Sequence, residues 1–332
     1  MINFNYTKAT SLKGALDAIG KDPNARFIAG GTNLVDLMKR GVMTPQRVID
    51  ITGLPLKGIQ VHKGGLRIGA LALNSEVAEH PIVKAQYPLL AEALKAGASA
   101  QLRNMATVGG NLMQRTRCPY FYDTALPCNK RQPGSGCSAL QGYNRMHAIF
   151  GTSEKCIAVH PSDMAVGLAA LDAMVLVQGP RGERRIPIGD FHRLPGDTPQ
   201  IDNNLQRTEI ITGVELKANN FGEQRVRYLK VRDRASYAFA LVSVAAVVPL
   251  DGNGRIRNAR IAMGGVAHKP WRLKPTEVLL EGKAPSEELF YTAVRASLKD
   301  ARTYGHNDFK IPMAESALMD TLLSLTTQNQ QR

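Results

Sequence analysis

Apolar positions along the chain switch between helical and strand spacing, and each switch marks an element. Ser11 precedes a helical pattern and is expected to cap a helix running through Ile19. Residues 26–29 read as a short strand, and residues 33–40 as a helix that brings Leu34, Leu37 and Met38 to one face. Short strands follow at 47–50 and 66–68, then helices from about Ser75 and across 88–96. The alternation predicts mixed α/β architecture. Between Gln114 and Ser153 the periodicity disappears under Pro, Gly, Cys, Asn and Arg, as expected of a functional loop. Regular spacing returns with a helix at 163–171, a strand at 173–177 and the turn Pro180-Arg181-Gly182.

A second unit begins near Arg225. Apolar strands at 225–231 and 239–249 lead through the hairpin signal Asp251-Gly252-Asn253-Gly254 to a strand at 255–263. Helices at 287–298 and 314–325 are expected to close a small sheet, and the unit boundary is expected between Lys217 and Gln224. The polar tail Gln328-Asn329-Gln330-Gln331-Arg332 is expected to fray.

The chain has 332 residues, 44% hydrophobic and 21% charged, which predicts a folded chain with a real core. No stretch approaches the roughly 20 apolar residues of a membrane span, so no membrane insertion is expected. The start Met1-Ile2-Asn3-Phe4-Asn5-Tyr6 has no export pattern, which predicts cytoplasmic synthesis and folding. A formal charge of +14 favours an anionic cofactor, an acidic partner or a nucleic acid. The basic clusters at 181–185 and 225–234 lack the interleaved aromatics of a single-strand platform, so they read as solvated or docking surface, without nucleic acid.

All four cysteines, Cys118, Cys128, Cys137 and Cys156, fall in or beside the irregular stretch, spaced C-x9-C-x8-C-x18-C. Pro119, Pro127, Gly134 and Gly136 supply turns that let the chain fold back between them. Three readings compete, and four unlinked thiols are the remaining one. Two disulfides are possible, although a chain of this size has core enough without them. Structural zinc normally shows paired knuckles, absent here. An iron–sulfur cluster accepts wide spacing and uses four thiolates, and it is the favoured reading.

The other candidates surround two glycine turns. Phe27-Ile28-Ala29-Gly30-Gly31-Thr32-Asn33-Leu34 runs from a strand through a Cβ-free bend into a helix start. Such a bend lets a diphosphate approach free backbone N–H groups. Thr107-Val108-Gly109-Gly110-Asn111 repeats the glycine pair, and neither turn matches the G-x-G-x-x-G of a Rossmann site. In His160-Pro161-Ser162-Asp163, either Ser162 or Asp163 is expected to cap the next helix, with ribose binding as the functional alternative for Asp163. Lys230 reads as a snorkelling lysine or as a charge beside a flavin. His62, His147, His192, His268 and His306 stand isolated and read as structural or solvated. Hydrolytic motifs are lacking.

These residues carry a resemblance. Ala29-Gly30-Gly31-Thr32-Asn33, then Gln101-Leu102-Arg103-Asn104 leading to Thr107-Val108-Gly109-Gly110-Asn111, then Pro161-Ser162-Asp163, resemble the FAD-binding medium subunit of the xanthine oxidase family of molybdenum hydroxylases. The resemblance implies an α+β fold. It comprises a flavin domain of the vanillyl-alcohol-oxidase (PCMH) type over residues 1–220, in subdomains of about 1–57 and 58–220. A smaller α/β C-terminal domain of the CO dehydrogenase flavoprotein type would follow at 224–330. It further implies that Ile28, Ala29, Gly30, Gly31, Thr32, Asn33 and Leu34, with Thr107, Gly109, Gly110 and Asn111, hold the FAD diphosphate. Asp163 would meet the adenosine half, Lys230 would lie near the isoalloxazine, and Tyr237 and Ala238 would stand by the flavin face.

Most members of that family lack a cysteine segment. Arg115-Thr116-Arg117-Cys118-Pro119-Tyr120-Phe121-Tyr122 and Cys128-Asn129-Lys130-Arg131 resemble the medium subunit of bacterial periplasmic aldehyde oxidoreductases, which carries an additional [4Fe–4S] cluster over a loop here spanning about 114–157. By that resemblance the chain works in a heterotrimer. A molybdopterin large subunit oxidises an aldehyde, a [2Fe–2S] small subunit relays electrons, and this chain passes them to an external acceptor. The family also implies periplasmic residence by export with a partner, with a cytoplasmic protein as the alternative. Another molybdenum hydroxylase substrate, or a stand-alone flavoprotein with disulfides, is the alternative function.

Overall fold

The computed structural model describes residues 1–218 and 225–327. The expected unit boundary at 217–224 therefore falls largely outside the described residues, as does the polar tail at 328–332.

Three sheets carry the chain. The first is parallel, from β1 (Asn5–Lys8), β2 (Ala25–Ile28) and β3 (Arg47–Asp50), in the order β1-β3-β2. Parallel neighbours need a crossover. The Leu34–Lys39 helix lies in the one between β2 and β3, while the Leu12–Lys21 helix joins β1 to β2 and is capped as expected by Ser11 Oγ accepting from Gly14 N at 3.1 Å. Ala15, Leu16 and Ile19 bury its apolar face against Ile49 and Ile51.

The second sheet is antiparallel. It contains β4 (Ile59–His62), β5 (Gly65–Gly69), β6 (Met174–Gly179), β7 (Gly182–Pro187) and β8 (Ile210–Leu216), in the order β4-β5-β8-β6-β7. The third contains β9 (Val226–Val231), β10 (Val242–Val247), β11 (Arg260–Gly264) and β12 (Trp271–Arg272), in the order β12-β11-β10-β9. The Glu287–Leu298 and Lys310–Thr327 helices cover its outer face and share a core with Val242, Val244, Ile261 and Met263. Among the described residues no helix is long and apolar enough to cross a membrane.

One helix sits between the second and third sheets. Every residue of Asp163–Ala170 is buried, and Met164, Val166 and Leu168 share a core with Val175, Val214, Ala245 and Ala262. Apolar all round, it behaves as a buried core helix rather than an amphipathic surface one. Its N-terminus is capped by Ser162 Oγ, which accepts from Ala165 N at 2.9 Å. This sequence expectation holds, and Asp163 is left free for another role.

Two expected strands are shorter. The strand at 239–249 is confined to Val242–Val247, and that at 255–263 to Arg260–Gly264. Asp251 accepts from Asn253 N and Arg255 N at 2.9 and 3.0 Å, so the hairpin signal forms a wider turn than the apolar run suggested. Tyr237, at φ 53°, places the preceding residues in a loop.

The stretch at 114–157 holds only the short Pro119–Tyr122 helix, and side chains order the rest. Asn129 Oδ1 accepts from Gly134 N and Gly136 N at 3.1 and 2.9 Å, closing the turn between Cys128 and Cys137. Lys130, with a side chain only 3% exposed, donates to Asp202 Oδ1 at 2.6 Å, and Arg115 Nε donates to Asp202 Oδ2 at 2.6 Å. This double anchor ties the loop to the connection before β8.

Candidate functional site

The two glycine turns meet. A Cβ on Gly30 would stand 1.7 Å from Met105 O, so only glycine lets this bend lie on the segment leading into Thr107. Gly31 adopts φ 71° and turns the chain into the Leu34–Lys39 helix. In the second turn Thr107 Oγ1 accepts from Gly110 N at 3.1 Å. Between the turns, the Asp163 helix and the 233–239 loop lies a cleft with about 1680 Å³ of open space, solvent mouth included.

Thr32, Asn33, Gly110, Asn111 and Asp163 line this cleft, with Tyr237 and Ala238 on the opposite side. Ile28, Ala29, Gly30, Gly31, Leu34, Thr107 and Gly109 are absent from its lining and shape the turns from behind. Asn33 is the most informative of these residues. Its Oδ1 accepts from Arg115 N at 2.9 Å, while its Nδ2 is buried with no partner. A buried unmade donor costs about 1–3 kcal/mol. In a cleft lined by glycine backbone, that donor fits an anionic ligand such as the FAD diphosphate.

Asp163 and Lys230, expected at the adenosine half and near the isoalloxazine, lie against each other. Lys230 Nζ lies 2.9 Å from Asp163 Oδ2 and 2.9 Å from Ala96 O, and Tyr228 Oη donates to Asp163 Oδ1 at 2.6 Å. The two residues form one buried unit with Tyr228. β9 and the helix start converge there, a tertiary relationship that no spacing encodes.

Arg103, Arg117 and Arg234 also line the cleft; all three lie in segments the sequence singled out, but none was given a role there. Arg117 donates to Asp36 Oδ2 at 3.1 Å and Tyr122 Oη at 2.7 Å, and its guanidinium lies 5.3 Å from the Phe239 ring centroid. A smaller chamber shares Arg117, Met146, Ser162, Asp163 and Phe239 with the cleft and reaches Cys118 and His147.

All four cysteines are free in the structure. Cys118, Cys128, Cys137 and Cys156 line one cavity of about 270 Å³. Backbone N–H groups point at the sulfurs, from Tyr120 and Phe121 to Cys118, from Ala139, Leu140 and Ile157 to Cys137, and from Ala158 to Cys156. Burial pushes the Cys118 thiol up to about 12. Cys156 donates to Cys137, which holds Cys137 down to about 6 and pushes Cys156 up. Among the described residues no three His, Cys, Asp or Glu side chains are arranged to hold a metal ion.

His147, His192 and His268 are buried, whereas His62, grouped with them by spacing, is half-buried and His306 is exposed. Burial lowers His147 to about 4 and drives His268 well below its ordinary range.

Comparison with known proteins gives the same architecture. Residues 2–216 match the FAD binding domain in molybdopterin dehydrogenase, and residues 227–325 match the CO dehydrogenase flavoprotein C-terminal domain. The chain is 49% identical over 327 residues to the aldehyde oxidoreductase FAD-binding subunit PaoB of Escherichia coli K12, covering 98% of this chain and 99% of that one. It is 30% identical over 287 residues to the glyceraldehyde dehydrogenase medium chain of Sulfolobus acidocaldarius, covering 86% and 84%. A solved carbon monoxide dehydrogenase from Hydrogenophaga pseudoflava, lacking the Mo-pyranopterin moiety, superposes with a TM-score of 0.76 at 25% identity, over 98% of this chain and 100% of that one.

Proposed function

The chain belongs to the family of FAD-binding subunits of molybdopterin dehydrogenases, and on that footing we propose that it is the electron-delivering subunit of an aldehyde oxidoreductase. Bound FAD supplies two-electron acceptance and one-electron release. In this reading Thr32, Asn33, Gly110 and Asn111 hold the diphosphate, with Asn33 Nδ2 as the donor that awaits it. The Asp163–Lys230 pair fixes the wall beside Ser162, and the Tyr237-Ala238 loop covers the flavin face. The observation that carries the flavin site is the unpartnered Asn33 amide where the two glycine turns meet. Similarity along the whole chain to a subunit named for aldehyde oxidation supports the substrate class.

The partners belong to the same proposal: a molybdopterin large subunit where the aldehyde is oxidised, a [2Fe–2S] small subunit, and an external electron acceptor. So does a [4Fe–4S] cluster on Cys118, Cys128, Cys137 and Cys156. Its support is the single cavity the four sulfurs line and the backbone N–H groups directed at them. Periplasmic residence by export with a partner completes the reading, and cell fractionation tests it.

The decisive experiment purifies the chain with its co-expressed partners under anaerobic conditions. Flavin, iron and acid-labile sulfide are measured, followed by reduction of a dye acceptor with aldehydes, purines and N-heterocycles. Bound FAD, iron beyond the small subunit's share and aldehyde-dependent turnover are expected. Cys128→Ser should remove that extra iron while flavin stays bound. A colourless chain would overturn the flavin site, and turnover with purines alone would overturn the aldehyde assignment.

A further inference from the structure

Arg117 stands where three parts of the chain meet. It comes from the cysteine-rich segment, its guanidinium bonds Asp36 on the Leu34–Lys39 helix, and it lies 5.3 Å from the Phe239 ring centroid. Two residues earlier, Arg115 N donates to Asn33 Oδ1 at 2.9 Å, so the same segment is tied to the first glycine turn. Residues three apart at a helix start share a face. The Asp36 contact therefore brings the Arg117 guanidinium to the side of the turn that carries the unpartnered Asn33 amide.

One edge of that guanidinium is free. Arginine carries five N–H donors in a fixed fork. Both Nη1 protons are used, by Asp36 Oδ2 at 3.1 Å and Tyr122 Oη at 2.7 Å. Nε is buried with no partner, and among the described residues Nη2 has no hydrogen-bond acceptor. Nε–H and Nη2–H point the same way and form an edge that grips a phosphate with two parallel bonds. Leaving a buried donor unmade is costly, and Arg117 lines the same cleft as Asn33.

The charge of the cleft agrees. Each carboxylate on its wall has a cation of its own: Asp36 has Arg117, Asp163 has Lys230, and Asp233 has Arg145. Arg103 and Arg234, on the same wall, donate only to backbone carbonyls. They are left over, one cation for each phosphate of a diphosphate. Asp36 opposes such a ligand weakly, because its Oδ2 is already covered by Arg117 and by Tyr122 Oη.

We propose that Arg117 binds the FAD diphosphate through its Nε–Nη2 edge, which makes the cysteine-rich segment part of the cofactor site and couples its order to cofactor binding. The inference rests on the flavin site proposed above and needs no metal at the cysteines. Coupling between two events is reciprocal. If the segment's arginine holds FAD, then FAD holds the segment.

The test uses the full chain stripped of flavin. FAD affinity is read from flavin fluorescence, and segment order from limited chymotrypsin digestion at the exposed Leu126 and Tyr143. FAD should slow cleavage at both sites severalfold. ADP, which carries the diphosphate without the ring, should protect at saturation, and riboflavin, which carries the ring without phosphate, should not. Arg117→Met should weaken FAD roughly tenfold or more, flatten the loss of affinity between ~50 and ~500 mM salt, and abolish the protection. Arg117→Lys, which keeps the charge without the fork, should retain the salt dependence at intermediate affinity. A merely structural arginine would leave the salt dependence unmoved. Should Arg117→Met fail to fold, the wild-type digestion decides, and protection by riboflavin or none by ADP overturns the inference. A folded Arg117→Met chain with unchanged FAD affinity or salt dependence overturns this inference alone. A wild-type chain that binds no FAD overturns the flavin reading and this one together.

Discussion

Lys230 and Asp163 form a buried ion pair, Nζ to Oδ2 at 2.9 Å, with side chains 3% and 7% exposed. It joins β9 to the first residue of the core helix beneath the cleft, and Tyr228 Oη completes the carboxylate's partners at 2.6 Å. In the proposed function the same two side chains would serve both stability and the wall of the flavin cleft.

Removing one partner leaves the other charge buried and unmatched, which typically costs about 3–5 kcal/mol. Lys230→Met should therefore lower the urea midpoint strongly and weaken FAD. The Lys230→Met/Asp163→Asn double variant should recover part of the stability, since no lone charge remains. Additive losses in the double variant would contradict this.

Gly30→Ala would set a Cβ 1.7 Å from Met105 O, against backbone that has no flexible end to move. Purified protein should carry little or no flavin. Gly20→Ala is the control, because nothing lies within 4 Å of its added Cβ and it sits in the Leu12–Lys21 helix. It should stabilise by roughly 0.5–1 kcal/mol with full flavin content.

Asp202→Asn should release the cysteine-rich loop. Asp202 is held below its ordinary range by Lys130 and Arg115 although its burial opposes this, and it is the acceptor for both. Limited proteolysis should then cut within residues 115–157 faster than in the wild type, while the sheets remain protected. Unchanged cleavage would show that the anchor is dispensable.

Lys310 predicts a pH dependence. Burial lowers its ammonium from 10.5 to about 7, and its Nζ donates to Gly265 O at 2.7 Å. Below pH ~7 it is charged in both the folded and unfolded states, and its contribution is constant at its least favourable. Above that, the folded chain has released a proton that the unfolded chain still holds. Stability should therefore rise with pH by up to about 1.4 kcal/mol per unit until the ordinary lysine range is reached. Lys310→Met should remove this rise, as read from the difference in urea midpoints between pH ~6 and ~9. Parallel midpoint curves for the two proteins would refute it.

Local patterning was legible where an element buries one face. Ser11, the 88–96 helix and the 287–298 helix were read at or close to their observed ends because capping and 3.6-residue spacing are short-range properties. β8, at the centre of the second sheet, was passed over. Its run Ile-Ile-Thr-Gly-Val-Glu-Leu is buried at six of seven positions, which erases the alternation that marks a half-exposed strand. Gly213 in its middle reads locally as a breaker, whereas a Cβ there would meet Ile68 O of β5 at 2.7 Å. The Asn33 site was found through its glycine neighbours, yet spacing could not show that its side chain leaves the helix cap and turns to the cleft.

By itself, the sequence determined the elements, the two glycine turns and the gathering of every cysteine into one irregular segment, because each depends on neighbours along the chain. Only the tertiary structure decided that the four sulfurs share one cavity, that histidines 147 and 268 reach two of them, and that Lys230 closes on Asp163. These are meetings between segments up to 112 residues apart. Which distant side chains share a site depends on how sheets and helices pack, and the local period of a chain carries no record of that.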